Sequence, residues 1–436
     1  MSFSEDRAVV PAVGEFFSRG LAEVDGDLLR AVVAEEDRQH SQIELLAPKN
    51  YASRATREAF ASIVSFTTIE GYPGRRFHAG MVNLDAIERL AIDRAKQLFG
   101  CSYANVQPHS GTQANQAVFY ALLQSGDNVL SMSLRDGGHL SHGLRSNFSG
   151  KWFNVANYGV DKNSGLIDYD AVREIARKHR PKLMVVGGSS YPRRIDFEKF
   201  RQIADECGSY LLADISHFSG LVAGGVHESP FPHAHVVTST TNKNLRGPRG
   251  GIILCDDEGL GRKLDSALFP GIQGGPLPEY ISAKAVAFKE ALSADFKEYA
   301  QAVLRNARTF SSVLSSAGYD IVTGGTDTPL VMVDLRSVGL TGDVAAESLE
   351  AAGIPCNKNL VPGDPEGPRT TSGLRFGLSA VTTRGFRDEA TRDIAEIVVD
   401  VLDGVRKAGA GDAQVEESAK ERVELLARRY PIYPRA

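Results

Sequence analysis

Hydrophobic positions along this chain fall into two alternating patterns. Short, nearly unbroken apolar runs at residues 128–132, 210–214, 234–239 and 252–255 predict buried strands. Between them lie stretches with helical spacing. The clearest spans residues 83–100, where Ile87, Leu90, Ala91 and Leu98 share a face and Gly100 suits the C-terminal cap. Such alternation predicts an α/β fold, a doubly wound domain around a mixed, mainly parallel sheet. Residues 1–50 read as an N-terminal arm with an amphipathic helix at 27–40. Residues 51–290 read as the large domain. Residues 291–436 complete a long helical stretch that begins at 279 and ends at 317, and then form a smaller α/β domain. Strands at 319–322 and 330–334 open that domain, and helices near 389–407 and 414–429 close it.

Composition narrows the function classes. A chain of 436 residues has room for two domains and a large core. Its net charge of −5 leaves no electrostatic footprint for nucleic acid or an anionic membrane. No apolar run approaches the roughly 18 residues that a membrane helix needs. Residues 1–6 carry no basic stretch followed by an apolar one, so no secretory signal is expected. Cys101, Cys207, Cys255 and Cys356 lie far apart, without metal or redox spacing. A cytoplasmic protein with reduced thiols and no metal site is expected.

The candidate chemistry begins at Lys243. It sits in a hydroxyl-rich loop after one apolar run, with a glycine-rich turn and a second apolar run behind it. A lysine desolvated in such a loop can lose its proton near neutral pH and form an imine with an aldehyde cofactor. Alone it proves little, since most lysines are solvated surface groups. Upstream, residues 210–214 end in Asp214, followed by His217. An acid at the carboxyl end of a parallel strand points into the ligand crevice of an open α/β sheet. There it can pair with a protonated pyridine nitrogen, or it can simply cap a turn. Ser110, Gly111 and Thr112 join a short strand to an Ala-rich helix. Free amides and two hydroxyls at a helix N-terminus suit a phosphate, although an ordinary N-cap explains the local sequence as well. His139, in a glycine-rich loop after the strand at 128–132, can lie flat on an aromatic ring.

These elements, in this order, resemble the serine hydroxymethyltransferase family of fold-type-I pyridoxal-phosphate enzymes. The resemblance runs from about Ile43 to the C-terminal Tyr-Pro-Ile-Tyr-Pro. It includes the stretches at 70–75, 90–95, 105–111, 137–143, 270–276, 324–327 and 371–375 as well as the Lys243 loop. It implies hydroxymethyl transfer between an amino acid and tetrahydrofolate, with pyridoxal 5'-phosphate as cofactor. Lys243 would hold the cofactor, Asp214 its ring nitrogen and His217 its ring oxygen, with His139 stacked on the ring. Ser110, Gly111 and Thr112 would hold the phosphate, helped by Gly275 of a neighbouring subunit, and Thr240 is counted among the cofactor contacts. Arg375 would grip the substrate carboxylate, and His78 lies where the family has a tyrosine beside the substrate. Glu70, again from the neighbour, would be the acid/base for the one-carbon unit. Leu134, Gly138, Leu140 and Asn359 match folate contacts. A homodimer or dimer of dimers follows from the same resemblance.

Several positions depart from the family pattern. Asn242 and Asn244 replace a histidine and a threonine beside Lys243. Pro48 and Lys49 replace a Ser-Glu pair, Thr68 a tyrosine, Phe77 and His78 a pair of tyrosines, and residues 377–380 a Gly-Thr-Pro-Ala motif. These changes gather where the substrate side chain and carboxylate are expected and leave the cofactor core untouched. They predict an altered, roomier pocket in which alanine serves as acceptor, giving α-methylserine, beside the glycine/serine pair. The alternatives are a folate-independent threonine-type aldolase or transaldolase and a homologue that binds the cofactor without catalysis. Retention of Lys243, Asp214, His139, Glu70 and Arg375 speaks against the last.

Overall fold

The computed structural model describes residues 9–433, with side chains described from residue 14; the start at residues 1–6 lies outside the described residues. A hairpin of β1 (Gly71–Tyr72) and β2 (Arg75–Arg76) precedes the main sheet. Seven strands build that sheet. They are β3 (Tyr103–Asn105), β4 (Asn128–Met132), β5 (Asn154–Tyr158), β6 (Leu183–Val186), β7 (Tyr210–Asp214), β8 (Val236–Thr240) and β9 (Gly251–Cys255). Their order is β3-β9-β8-β7-β6-β4-β5; β9 alone runs against its neighbours.

Strand periodicity explains why the runs are apolar throughout. Met184 and Val186 face one core, while Leu183 and Val185 face another on the opposite side of the sheet. Helices cover both faces, as the doubly wound expectation requires. The carboxyl ends of β4, β7 and β8 consequently open onto one crevice.

A second sheet holds β10 (Asp320–Ile321), β11 (Leu330–Asp334), β12 (Asn357–Asn359) and β13 (Gly373–Gly377), antiparallel in the order β10-β11-β13-β12. Its own core contains Val331, Val333, Leu374 and Phe376. Ile43 and Leu45, read as part of the arm, are fully buried in this core and bond the backbone at Gly353 and Pro355.

Two sequence expectations change. The helix Val82–Phe99 ends at Gly100 with φ 66°, but Leu90 is 48% exposed. The inward face is instead Leu84, Glu88, Ala91, Ala95 and Phe99, from which Leu90 is turned by about 100°. The single stretch at 279–317 is two helices, Pro278–Ala291 and Ala294–Ser316. Ser293 separates them and caps the second, accepting a hydrogen bond from the Phe296 amide. The helix Gly26–Ser41 starts from an Asp25 cap but has no buried residue, leaving Leu28, Val32 and Val33 exposed.

Candidate active site

A cavity of about 430 Å³ lies between the two sheets. Its walls include Ser110, Gly111, Thr112, His139, Asp214, His217, Thr240, Lys243 and Arg375, together with Leu134, Leu140 and Asn359. Residues dispersed from 110 to 375 are therefore brought together.

Asp214 ends β7 and is buried. One carboxylate oxygen accepts from Asn115 Nδ2 at 2.8 Å and lies 3.0 Å from His142 Nε2. The other accepts from Ser216 Oγ at 2.6 Å and the Ser216 amide at 3.1 Å. Burial alone would raise the Asp214 pKa, but the His142 hydrogen bond and the nearby imidazoles hold it well below the usual carboxylate range. It is a fixed anion. Asn115, His142 and Ser216 had no assigned role in the sequence reading. His139, His142 and Asp214 also bring one ligand atom each within 4.8 Å of the others, but both Asp214 oxygens are already hydrogen-bonded.

His139 bridges to Ser141, its Nδ1 2.8 Å from Ser141 Oγ, and Ser141 Oγ in turn accepts from Asn115. The ring orientation is thereby tied to the Asp214 network. Burial, then the neighbouring cationic groups, pulls the His139 pKa down to about 4, so the ring is neutral near pH 7. His217 is held well below its ordinary value by burial and by Lys243 and Arg375.

Lys243 follows β8 in a turn anchored by Asn50 Nδ2, which donates to the Lys243 carbonyl at 2.8 Å. Burial lowers its pKa to about 8; Asp214 opposes the shift, and Arg375 and Arg249 assist it. Arg375 lies on β13 as expected. Nη1 donates to the Ser189 carbonyl at 2.5 Å and Nη2 to Asn357 Oδ1 at 2.9 Å, while Nε is buried and unpartnered. Burial brings its pKa down to about 10.

The helix N-terminus expected to meet a phosphate is built with equal precision. Ser110 caps the helix Gly111–Leu122, its Oγ accepting from the Gln113 amide at 3.2 Å, so the capping reading is correct. A Cβ at Gly111 would meet Thr240 Cγ2 at 2.6 Å, so glycine here lets the helix end lie directly against the Thr240 side chain. Thr240 Oγ1 and His217 Nδ1 are buried without hydrogen-bond partners. Unpaired buried groups are costly, and an anionic, hydrogen-bonding ligand in this cavity satisfies them.

Four expected contacts lie elsewhere on this chain. Glu70 and His78 form a separate pair, with Glu70 Oε2 3.4 Å from His78 Nε2, and both are partly exposed. Gly275 lies against Glu70, its Cβ position 3.4 Å from Glu70 Cγ. None of the three lines the cavity. Gly138 stands behind the wall, its carbonyl accepting from Ser189 Oγ at 2.6 Å. Among the departing positions, Pro48 and Asn242 do line the cavity, with Asn242 Nδ2 3.3 Å from the Pro48 carbonyl. Lys49 does not line it; it pairs with buried Glu44 at 2.6 Å.

A doubly wound sheet that presents a buried acid, a low-pKa lysine and a helix N-terminus at one crevice defines a pyridoxal-phosphate enzyme of fold type I. The comparisons with known proteins narrow the class. The family model described as serine hydroxymethyltransferase matches residues 21–398. A serine hydroxymethyltransferase of Rhodospirillum centenum is 55% identical over 419 residues, covering 96% of this chain and 98% of its own. Those of Rhizorhabdus wittichii and Methylobacterium sp. (strain 4-46) are 54% and 53% identical, covering 96% and 99% of this chain and 96% and 100% of their own. The chain belongs to the serine hydroxymethyltransferase family. It is a pyridoxal-phosphate-dependent transferase that moves a hydroxymethyl group between serine or glycine and tetrahydrofolate, its co-substrate. The relatives' names do not favour the aldolase alternative.

Proposed function

We propose that the cavity residues divide the transfer reaction as follows, and that the working site is shared between two copies of the chain. The observation that carries the proposal is the convergence of Lys243, Asp214 and Arg375 on one cavity, with unpaired Thr240 and His217 atoms beside them. Bound pyridoxal phosphate supplies an electron sink for the pair left on the amino acid when a bond to its α-carbon breaks. Ser110, Gly111, Thr112 and Thr240 hold the phosphate. Asp214 keeps a proton on the pyridine nitrogen, and Asn115, His142 and Ser216 fix its oxygens in place. His139 would cover the ring face, and His217, whose Nδ1 has no protein partner, would hydrogen-bond the ring oxygen. Lys243, whose pKa is lowered to about 8, would be the amine that holds the cofactor. Arg375 receives the substrate carboxylate. Leu134, Leu140 and Asn359, with Gly138 behind them, form the folate side of the mouth.

Glu70 and His78 serve a neighbour's cavity in this reading, as does Gly275. Their position away from this chain's own cavity supports a shared site. Glu70 then exchanges the proton of the hydroxymethyl oxygen, a role contributing about 10²–10⁴-fold. The four cysteines, all free, fit a cytoplasmic enzyme, and among the described residues no helix is long and apolar enough to cross a membrane.

Mixing tests the arrangement. Lys243→Ala and Glu70→Ala chains, each inactive alone, are exchanged and assayed with methylenetetrahydrofolate and either glycine, D-alanine or L-alanine. Activity returns in the mixture, because a hybrid dimer holds one complete site. Chains that demonstrably exchange and stay inactive would overturn the shared site. The amino-acid arms test the acceptor: alanine turned over as well as glycine supports the roomier pocket, and a strict glycine preference removes it.

A further inference from the structure

Lys284 is a second buried lysine, outside the cavity and without a part in the reaction just described. It belongs to the helix Pro278–Ala291, whose neighbours Ile281, Ala283, Ala285, Ala287 and Phe288 are also buried. The residue is 1% exposed. Its ammonium donates to three backbone carbonyls, those of Val106 at 2.6 Å, Pro108 at 3.0 Å and Gly251 at 2.9 Å. An ammonium has three donors, and here each has an acceptor.

Those carbonyls belong to the two segments that carry the cofactor groups. Val106 and Pro108 lie between β3 and the Ser110 cap, just before the proposed phosphate cradle. Gly251 begins β9, directly behind the loop that bears Lys243. The two segments also meet directly, as the Gly251 amide donates to the Pro108 carbonyl at 2.9 Å. On the far side, Gln107 Nε2 donates to Glu88 at 2.8 Å and to the Gly71 carbonyl at 3.0 Å. Gln273 accepts from the His109 amide at 3.0 Å. Every residue from 106 to 109 is thus held, and Lys284 is the one cation among these contacts. Burial draws its pKa down to about 7, with Glu88 opposing. Keeping an ammonium here costs desolvation, which a merely space-filling residue would avoid.

We infer that Lys284 is a positioning residue for the cofactor phosphate, its terminal nitrogen locking the segment before Ser110 to the start of β9. This sets Ser110–Thr112 against Thr240, and it rests on the reading of those residues as the phosphate cradle. Removing the Lys284 nitrogen leaves the Gly251–Pro108 backbone bond as the direct link between the two segments and loosens their fit, which weakens recognition of the phosphate and not of the pyridine ring.

The test compares pyridoxal phosphate with pyridoxal, which lacks the phosphate, on the full-length protein stripped of cofactor. Dissociation constants are read from absorbance, alongside the melting temperature. The variants are Lys284→Met, Gly250→Ala and Thr240→Val. A Cβ at Gly250 would lie 2.5 Å from Lys284 Cε and 2.9 Å from Nζ, so this change displaces the ammonium without deleting it and decides the matter should Lys284→Met fail to fold. The expected result for both is pyridoxal phosphate affinity reduced about tenfold or more with pyridoxal affinity little changed. An unaltered ratio of the two affinities in these variants, with a lowered ratio in Thr240→Val, overturns the role of Lys284. An unaltered ratio in Thr240→Val as well overturns the cradle reading itself.

Discussion

Lys243 and Lys284 are both removed from bulk water, and both have their pKa pulled down, to about 8 and about 7. Their surroundings differ in one respect. Lys284 gives its three donors to three carbonyls, whereas the Lys243 ammonium donates to no group among the described residues and faces the cavity. Arg375 is intermediate, with two nitrogens occupied and Nε unpaired. Burial alone therefore does not distinguish a reactive cation from a structural one. What separates them is whether the protein has already used the donors. An amine without protein acceptors keeps its nitrogen available to a ligand in the cavity, while one whose donors are all taken up ties backbone segments together.

The largest effect should follow from deleting the unsaturated amine. Lys243→Ala is expected to reduce hydroxymethyl transfer to background while the fold persists, since its side chain supports no hydrogen-bonded network. Substantial residual turnover would place the reactive amine elsewhere and erase the contrast. Arg375→Lys keeps the charge but loses the planar fork, so KM for serine should rise about ten- to a hundredfold. An unchanged KM would mean that the carboxylate is held by another group.

The smallest expected effect is a shift in pH dependence. Capture of the aldehyde cofactor by the stripped protein requires the neutral Lys243 amine, so its rate should climb with pH and level off above about 8. A climb continuing towards 10.5, the ordinary lysine value, would show that burial has not tuned this amine. The same shift acts on stability. The fold favours the neutral amine, so between about 8 and 10.5 the unfolded chain binds the extra proton and stability rises with pH. Lys243→Met removes that share of the rise.

What could be read from the sequence was local. Apolar runs located the strands at 128–132, 210–214 and 252–255, and the residues at their ends located Asp214 and the Lys243 loop. The partners that define the state of Asp214 were not legible, because Asn115 and His142 reach it only through the packing of distant segments. Their types are compatible with many surface roles. Lys284 was hidden for the opposite reason, since a lysine in a helix reads as a solvated residue. Nothing near it in sequence announces that Val106, Pro108 and Gly251 converge on it. Leu90 is apolar but stands at an outward phase of its helix, and buried Glu88 holds the inward position through its ion pair with Arg76 at 2.6 Å. The break at Ser293 carried a legible signal, a capping serine three residues before Phe296, which the apolar continuity on either side obscured.

Borohydride reduction of the cofactor-loaded enzyme, followed by peptide mapping, tests the contrast between the two lysines most directly. Reduction makes the bond between cofactor and amine permanent and so records which nitrogen carried it. The account predicts the label on Lys243 alone, with Lys284 unmodified. Label on Lys284, or on any lysine other than Lys243, would contradict it.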